Sequence, residues 1–344
     1  MDSTNNSLRV EWIDTAKGIC ITLVVLNHTL IYQGLPENRP DVFLFFNDFM
    51  CSFRMPLYFF LSGLFFKTYG GGRFFIKKKV NKILVPFVFW YVICMLITPV
   101  TEGFGVRRFF EFCTNKYIIL NFYYGDSHAV NGPLWFLLCL FEVNVIFCLL
   151  QLSIKKRYML YVASIVTGIM GLLLSFFSIN LHASLDTALT CLPFFVFGYV
   201  VKNDTNILTT TISDRNLLLL SLLFGVICFL FSDYASFFDN SYSQQSYFTI
   251  YPCGFLGTLM ILFIAKYIGI VRFVTYFGRY SIIILCTHYP LLKIINRYVL
   301  DQMDGGIMVR IALSFIILMA IEQALIPLLK KYLPHVTAQK ELFA

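Results

Sequence analysis

The chain has 344 residues, of which 58% are hydrophobic and 18% aromatic, whereas 13% are charged. These proportions exclude an ordinary soluble domain, in which charged residues make up about a quarter of the chain. The formal net charge is +8, a value that also occurs in proteins that bind nucleic acid. The positions of the basic residues, described below, identify it instead as a signal of membrane topology.

Apolar residues occur in repeated runs of about 16 to 22, the length that crosses a bilayer as an α-helix. We therefore predict an all-α polytopic integral membrane protein with about ten transmembrane helices. The second and ninth predicted spans are the least regular. The first has no small-residue cleavage site behind a short apolar core, so it is interpreted as a first span and not as a signal peptide. The spans lie near residues 18–34, 43–66, 83–100, 134–153, 159–178, 186–201, 216–232, 250–270, 281–299 and 307–329.

The loops between these spans indicate the orientation of the chain. An even number of spans places both termini on one side, and most lysines and arginines lie in the loops of that side. Because cytoplasmic loops are enriched in these residues, both termini are predicted to be cytoplasmic. No linker rich in Pro, Gly or Ser and no low-complexity tract divides the chain. We expect a single membrane-embedded domain over residues 1–344, with its core at about 11–330.

The stretch Glu11–Tyr32 carries a polar stripe into the membrane. Asp14 and Lys17 precede the apolar run, and Asn27 and His28 lie inside it. Lys17 and His28 are eleven residues apart, so both lie on one helix face, about 16 Å apart along the axis, and Asp14 lies near the same face. An ionisable group inside a span marks a functional site or packs against a neighbouring helix. Both interpretations of His28 are open on this pattern alone.

The second and fourth spans also carry charged residues. Arg54 lies two residues before Pro56, which interrupts the hydrogen bonds of the second span. Glu142, in the fourth span, is a candidate partner for Arg54, and it shares a helix face with Trp135, seven residues earlier. The pattern allows either a structural Arg–Glu pair or contacts of these side chains with a substrate.

The loop between the second and third spans is the densest basic patch of the chain. Such a patch is able to bind the phosphates of a nucleotide-bearing donor such as coenzyme A. It also satisfies the positive-inside rule and would attract anionic lipid. Both interpretations are open for the residues concerned, which include Arg73, Lys77, Lys78, Lys79 and Lys82.

Two longer loops on the opposite side, residues 101–132 and 233–248, combine aromatic side chains with amides and carboxylates. This combination suits sugar rings, although Tyr-rich segments also form the aromatic belt at a membrane boundary. In the ninth span, His288 precedes the helix-breaking Pro290. With His28 it would form a haem pair or a proton relay, for which two histidines alone give weak support.

Several kinds of site have no signature in the sequence. No P-loop, Rossmann glycine pattern or HExxH motif is present. The ten cysteines are scattered, mostly within spans and without Cys-x-x-Cys pairs, so they indicate neither a disulfide nor a metal framework. We predict no metal site, no bound cofactor and no nucleic-acid partner.

Five motifs, taken in order, resemble one family. They are WIDTAKG at 12–18 with VVLNH at 24–28, RMPLYFFLSG at 54–63, the basic run that ends at Lys82 before Pro86, LWFL at 134–137, and Tyr280-Ser281 with the later His288. In this order they resemble the acyltransferase-3 family of bacterial membrane-bound O-acyltransferases. The first motif is most similar to the fucose 4-O-acetylase-like branch. The resemblance extends over about residues 11–330.

The resemblance implies about ten transmembrane helices with the N-terminus inside and an acyl-CoA donor, usually acetyl-CoA, on the cytoplasmic side. It implies transfer of the acyl group to a sugar hydroxyl of a surface or exported glycan. The essential histidine of the family corresponds to His28, and the basic residue of its first helix corresponds to Lys17. The expected location is the bacterial inner membrane, in multi-pass form. The expected partners are acyl-CoA, a glycan or lipid-linked sugar acceptor, and membrane lipids.

One part of the family pattern differs in this chain. Relatives often carry Arg-x-Arg before the third span, where this chain has Lys79-Val80-Asn81-Lys82. Lysine neutralises phosphate as a point charge without the bidentate geometry of arginine. The donor phosphates are therefore assigned to Lys78, Lys79, Lys82 and Arg73 on charge alone.

The chemistry of acyl transfer agrees with these residues. Moving an acyl group from a thioester to an alcohol needs a base for the hydroxyl proton and stabilisation of an oxyanion. His28 is predicted to deprotonate the acceptor or to accept the acyl group first, with Lys17 and Asp14 at the entrance of the helix. The predicted substrate or pore contacts are Arg54, Asn27, Trp135, Glu142 and His288.

A second class of protein remains as an alternative. A polytopic transporter or flippase of lipid-linked sugars would use His28, Arg54 and Glu142 as relay groups. Transporters often show internal repeats with paired broken helices, and no half-to-half similarity is evident here. A family member that has become a binding or sensor protein is a third alternative, against which the presence of both Lys17 and His28 argues.

Overall fold

The computed structural model describes residues 10–33, 41–205, 207–300 and 306–343, and this part of the chain is almost entirely helical. The short strands β1 (Ala235–Ser236) and β2 (Ser241–Tyr242) pair antiparallel. Short π-helical or 3₁₀ segments join or extend helices at Val80–Leu84, Gly132–Leu134 and Asn296–Leu300. The helices are α1 (Glu11–Tyr32), α2 (Asp41–Leu64), α3 (Gly72–Lys79), α4 (Val85–Thr101), α5 (Val106–Cys113), α6 (Lys116–Tyr124), α7 (His128–Asn131), α8 (Trp135–Ser153), α9 (Arg157–Phe176), α10 (Leu185–Asp204), α11 (Asp214–Phe231), α12 (Ser246–Ile268), α13 (Arg272–Arg279), α14 (Ser281–Ile295) and α15 (Ile307–Tyr332).

The helices confirm an all-α polytopic membrane protein. Within the described residues, eight helical segments are long and apolar enough to cross a membrane: α1, α3 with α4, α7 with α8, α9, α10, α11, α12 and α15. The second and ninth predicted spans are the helices α2 and α14, which are not among these eight. Polar residues inside α2, among them Asn47, Asp48 and Arg54, lower its hydropathy. The helix α14 has 15 residues, fewer than the roughly 20 that a full crossing needs.

Several helices differ from the predicted spans and loops. The helix α1 begins at Glu11, seven residues before the predicted boundary at residue 18, because its charged first turns are helical too. The predicted end of that span, residue 34, lies outside the described residues. The loop 101–132 contains the short helices α5, α6 and α7, and the loop 233–248 contains the β1–β2 hairpin. Hydropathy alone does not reveal these elements, because they are short and mixed in polarity.

A close approach between α1 and α13 fixes one end of the bundle. A Cβ atom placed on Gly18 would lie 1.9 Å from the carbonyl oxygen of Val274, and one placed on Gly278 would lie 1.7 Å from that of Asp14. Only glycine leaves room for two backbones at this distance. The contact brings Arg279, at the end of α13, beside the first turn of α1.

The bundle therefore has two distinct faces. We call the face that carries Glu11, Arg279 and Lys330 the terminus face; there Lys330 Nζ donates to the hydroxyl oxygen of Tyr280 at 2.7 Å, and Arg279 lies 3.7 Å from Glu11. The opposite face carries α5, α6, α7 and the β1–β2 hairpin. That the terminus face is cytoplasmic stays a prediction from the distribution of lysine and arginine.

Candidate active site

A cavity of about 460 Å³ lies between the last turns of α1 and the β1–β2 hairpin, at the opposite face. Its volume falls within the range of about 300–1,000 Å³ that is usual for small-molecule sites. Its walls come from α1, the first half of α2, the segment 128–135 and residues 234–239, with Tyr289 of α14. Elements that are distant in sequence therefore meet at this cavity.

His28 lies on the wall of this cavity. The centroid of its ring is 5.2 Å from that of His288 and 5.6 Å from that of Tyr289. His288 is fully buried, and its Nδ1 lies 2.7 Å from the carbonyl oxygen of Ile284. Because a carbonyl only accepts, Nδ1 carries the proton, and Nε2 of the neutral ring is an acceptor. Nε2 has no hydrogen-bond partner, so a buried acceptor lies behind His28.

Arg54 lies on the same wall and is 8% exposed. Its Nη1 donates to the carbonyl oxygen of Leu23 at 3.5 Å, and its Nη2 donates to Cys51 Sγ at 3.1 Å. The Nε atom is buried and has no hydrogen-bond partner. A guanidinium that lines a cavity and has only weak, neutral partners is suited to a negatively charged group in that cavity.

A series of hydrogen-bonded polar side chains connects α1 to α2 along the cavity wall. Asn27, which is buried, donates through Nδ2 to Asn47 Oδ1, and Asn47 Nδ2 donates to Asp48 Oδ1 at 3.3 Å. All three residues line the cavity. The hydrogen bonds connect the helix that carries His28 to the helix that carries Arg54, and they place a carboxylate at the cavity wall.

Aromatic rings form the far wall. The ring of Phe238, in the hairpin, lies 5.9 Å from Trp135 and 5.0 Å from His128. Asp239 follows Phe238 and also lines the cavity. Aromatic faces beside carboxylates are the combination that the sequence suggested for sugar rings, and here they lie in one cavity with His28.

Comparison with known proteins gives the family. The sequence model of the acyltransferase domain of the acyltransferase-3 family matches residues 10–322. The chain belongs to the acyltransferase-3 family. Its eight apolar helical segments make it a multi-pass membrane member of that family. It is also similar to the inner membrane protein YcfT of Escherichia coli (strain K12), with 36% identity over 67 residues that cover 17% of this chain and 19% of that protein. The chain thus matches about a fifth of the length of that relative, and no solved structure matches it.

The first-helix residues Asp14 and Lys17 of this protein lie at the terminus face, away from His28. Lys17 Nζ is 3.8 Å from Asp14 Oδ1, and Arg279 Nε is 3.8 Å from Asp14 Oδ2. Lys17 and His28 lie on one continuous helix, so about 16 Å of helix separates them. Lys17 and Asp14 therefore do not line the cavity, and their catalytic role stays a prediction.

Glu142 does not pair with Arg54. Within the described residues no ion pair joins these two side chains; Glu142 instead lies near the backbone of Ser184 and near Asp186. Its Oε2 is buried and has no hydrogen-bond partner. Spacing along α8 places Glu142 on the same helix face as Trp135. Which neighbouring helix the carboxylate of Glu142 approaches depends on the packing of α8 against α10.

The predicted donor residues lie at the terminus face under the C-terminal segment. Lys78 forms an ion pair with Glu341, and the hydrogen bond from Lys78 lowers the pKa of that carboxyl from its ordinary value. Asn81 Oδ1 accepts hydrogen bonds at 2.8 Å from the backbone N–H groups of Leu342 and Phe343.

The other basic residues of the patch differ in their exposure. Arg73 and Lys82 are exposed, and the ammonium group of Lys79 lies 5.6 Å from the ring centroid of Phe75. The C-terminal segment therefore covers part of the basic patch, through a contact that sequence reasoning did not anticipate. The sequence feature that could have indicated this contact is the acidic Glu341, which lies among basic residues near the chain end.

Sequence reasoning also missed Asp48 and Phe238 as cavity residues. The loop 233–248 drew attention through its aromatic and acidic composition, but nothing in the sequence indicates that it reaches His28. Asp48 lies six residues before Arg54 in a span of irregular pattern. Its position beside Asn47 at the cavity follows from the packing of α2 against α1.

Proposed function

We propose that this acyltransferase moves an acyl group, acetyl in the simplest case, from acyl-CoA to a sugar hydroxyl of a surface or exported glycan. The observation that supports this most directly is the cavity in which His28 and Arg54 occupy one wall. A base and a cationic donor at one cavity are the two groups that acyl transfer requires.

In the proposed reaction, the imidazole of His28 takes the proton of the acceptor hydroxyl as its oxygen attacks the thioester carbonyl carbon. The carbonyl oxygen becomes an oxyanion, which the guanidinium of Arg54 stabilises. The C–S bond then breaks, and the CoA thiolate leaves with the proton that His28 received. In a second version His28 first accepts the acyl group and then passes it to the hydroxyl. Both versions use the same atoms and give free CoA and an O-acyl sugar.

The two substrates are proposed to enter from different faces. The cavity is lined by the hairpin and the segment 128–135 of the opposite face, which supports entry of the acceptor there. The basic patch at the terminus face supports binding of the donor phosphates by Lys79, Lys82 and Arg73, with Lys78 available once Glu341 moves away. The pantetheine arm of the donor would then follow α1 toward His28.

The setting of the proposed reaction is the inner membrane of a bacterium. The short match to an inner membrane protein supports this location. Fucose belongs among the acceptors to be tested, because the first-helix motif resembles the fucose 4-O-acetylase-like branch. The acceptor would be part of a lipid-linked or exported glycan.

The test is release of free CoA by the purified protein in nanodiscs, given acetyl-CoA and a panel of methyl glycosides. Acceptor-dependent release is expected for the wild type, and His28→Ala is expected to lower kcat by about 10²–10⁴, the usual contribution of a general base. His182→Ala is the matched control, because His182 is exposed and its ring contacts Tyr123 and Tyr124.

Full activity in His28→Ala would refute the role of this residue. Absence of acetyl-CoA binding and of CoA release with every acceptor would refute the proposed function. Transport of a lipid-linked sugar by the same preparation would then favour the transporter alternative.

A further inference from the structure

A second cavity, of about 250 Å³, lies beside the His28 cavity. The two cavities share the wall residues His128, Trp135, Phe238 and Asp239. The remaining walls of the second cavity come from residues 125–126, 180–181, 183–184 and 186–187. Its volume is below the roughly 300–1,000 Å³ of sites that hold whole small molecules, so it is an extension of the His28 cavity and not an independent site.

The second cavity is acidic. Asp126, Asp186 and Asp239 line it, and its lining residues include no lysine or arginine. Asp186 is 6% exposed, so its carboxylate is held within the wall. Behind the wall, Glu142 contacts the backbone of Ser184 and has an unpartnered buried Oε2. The His28 cavity differs, because Arg54 contributes a positive charge to it.

These carboxylates are not arranged as a metal centre. Among the residues that the structure describes, no group of three His, Cys, Asp or Glu side chains is placed to hold a metal ion. Carboxylates in a cavity wall accept hydrogen bonds from hydroxyl or ammonium groups. The shared wall adds the rings of Trp135, Phe238 and His128, against which the apolar face of a sugar ring packs.

We propose that the acceptor is an oligosaccharide of at least two units, in which the acylated unit lies beside His28 and its neighbour, without negative charge, occupies the second cavity. This inference rests on the proposed function. The shared wall places the two units side by side, as consecutive residues of a glycan require. A neighbour that carries a carboxylate or phosphate is disfavoured, because like charges repel strongly at short range in a partly buried site.

The experiment compares acceptors that differ only in the second unit. Each methyl glycoside of the panel is offered alone and as the disaccharide extended by glucose, glucosamine or glucuronic acid. The value of kcat/KM for CoA release is expected to rise by about tenfold or more on extension by glucose or glucosamine, the gain expected from a hydrogen bond to a charged carboxylate. Extension by glucuronic acid is expected to give no gain.

Asp186→Asn keeps the shape of the side chain and removes its charge. This variant is expected to lose most of the gain from extension while keeping the kcat/KM of the monosaccharide, because Asp186 does not line the His28 cavity. Asp126→Asn, on an exposed part of the same wall, provides a second variant if Asp186→Asn fails to fold. Asp214→Asn is the matched control, since Asp214 is exposed at the start of α11.

Equal kcat/KM for monosaccharides and extended acceptors overturns this inference and leaves the transferase in place. A preference for the glucuronic acid extension overturns it as well. Absence of CoA release with every acceptor overturns the proposed function and this inference with it.

Discussion

Replacing Arg54 by methionine separates a catalytic role of this residue from a structural one. The hydrogen bond of Nη1 to Leu23 is 3.5 Å long, beyond the usual 2.7–3.2 Å, and the partner of Nη2 is the weak acceptor Cys51 Sγ. The Leu23 carbonyl lies inside α1 and keeps its helical partner without Arg54. Removing the guanidinium therefore leaves no buried donor without a partner.

The energies of these contacts decide the expected direction of the stability change. The two weak hydrogen bonds contribute at most about 1 kcal/mol each, whereas a buried, unsatisfied polar group costs roughly 1–3 kcal/mol. Arg54 has such a group at Nε. Methionine fills the space of the side chain without a charge. We expect Arg54→Met to melt at or above the temperature of the wild type.

Activity is expected to change in the opposite sense. If Arg54 stabilises the oxyanion, its loss lowers kcat by about 10²–10³, as for other oxyanion donors. CoA release and thermal unfolding are measured on the same preparation, with Arg107→Met as the control, because Arg107 is exposed and pairs with Glu111. A variant that melts several degrees lower and keeps its kcat would refute this reasoning and assign Arg54 to the packing of α1 and α2.

Two further predictions concern the terminus face. Gly278→Ala places a Cβ atom 1.7 Å from the backbone oxygen of Asp14, so α1 and α13 must separate, and we expect a loss of about 1–3 kcal/mol of stability, seen as a lower melting temperature. Gly306→Ala is expected to leave the melting temperature unchanged, because among the described residues no atom beyond its chain neighbours lies within 4 Å of the added Cβ. Equal effects of the two substitutions would contradict the prediction. Glu341→Gln releases Lys78 and is expected to lower the KM for acetyl-CoA without changing kcat; an unchanged or higher KM would show that the ion pair does not compete with the donor. Because Lys78 lowers the pKa of Glu341, the contact is present above the ordinary carboxyl pKa and is lost as the pH falls through the lowered value.

The sequence predicts the membrane class and the position of most helices because a bilayer imposes length and polarity on each span. The spans that fit this rule poorly are α2 and α14, which carry Arg54 and His288. Both helices border the candidate site; the polar residues of α2 lower its hydropathy, and α14 has 15 residues, fewer than a full crossing needs. The two spans that deviate from the hydropathy rule are therefore the ones that carry candidate site residues.

The arrangement of the site is harder to predict, because it depends on contacts between distant segments. Spacing on one helix correctly separates Lys17 from His28 along the axis, but it does not show that the hairpin brings Phe238 and Asp239 to the same cavity. Spacing also suggests that Arg54 pairs with Glu142, whereas in the structure the two side chains have different neighbours. The catalytic role of His28 and the donor role of the basic patch stay predictions.

The most direct test of the account uses sealed proteoliposomes with acetyl-CoA and an impermeant acceptor glycan placed in chosen compartments. In the proposed mechanism the donor binds at the terminus face and the acceptor at the opposite face. A protein in either orientation is therefore inactive when both substrates are on one side of the bilayer. We expect O-acetylated glycan when the two substrates lie on opposite sides of the bilayer, and none when both are outside. Product formed with both substrates in the outer compartment would contradict the account.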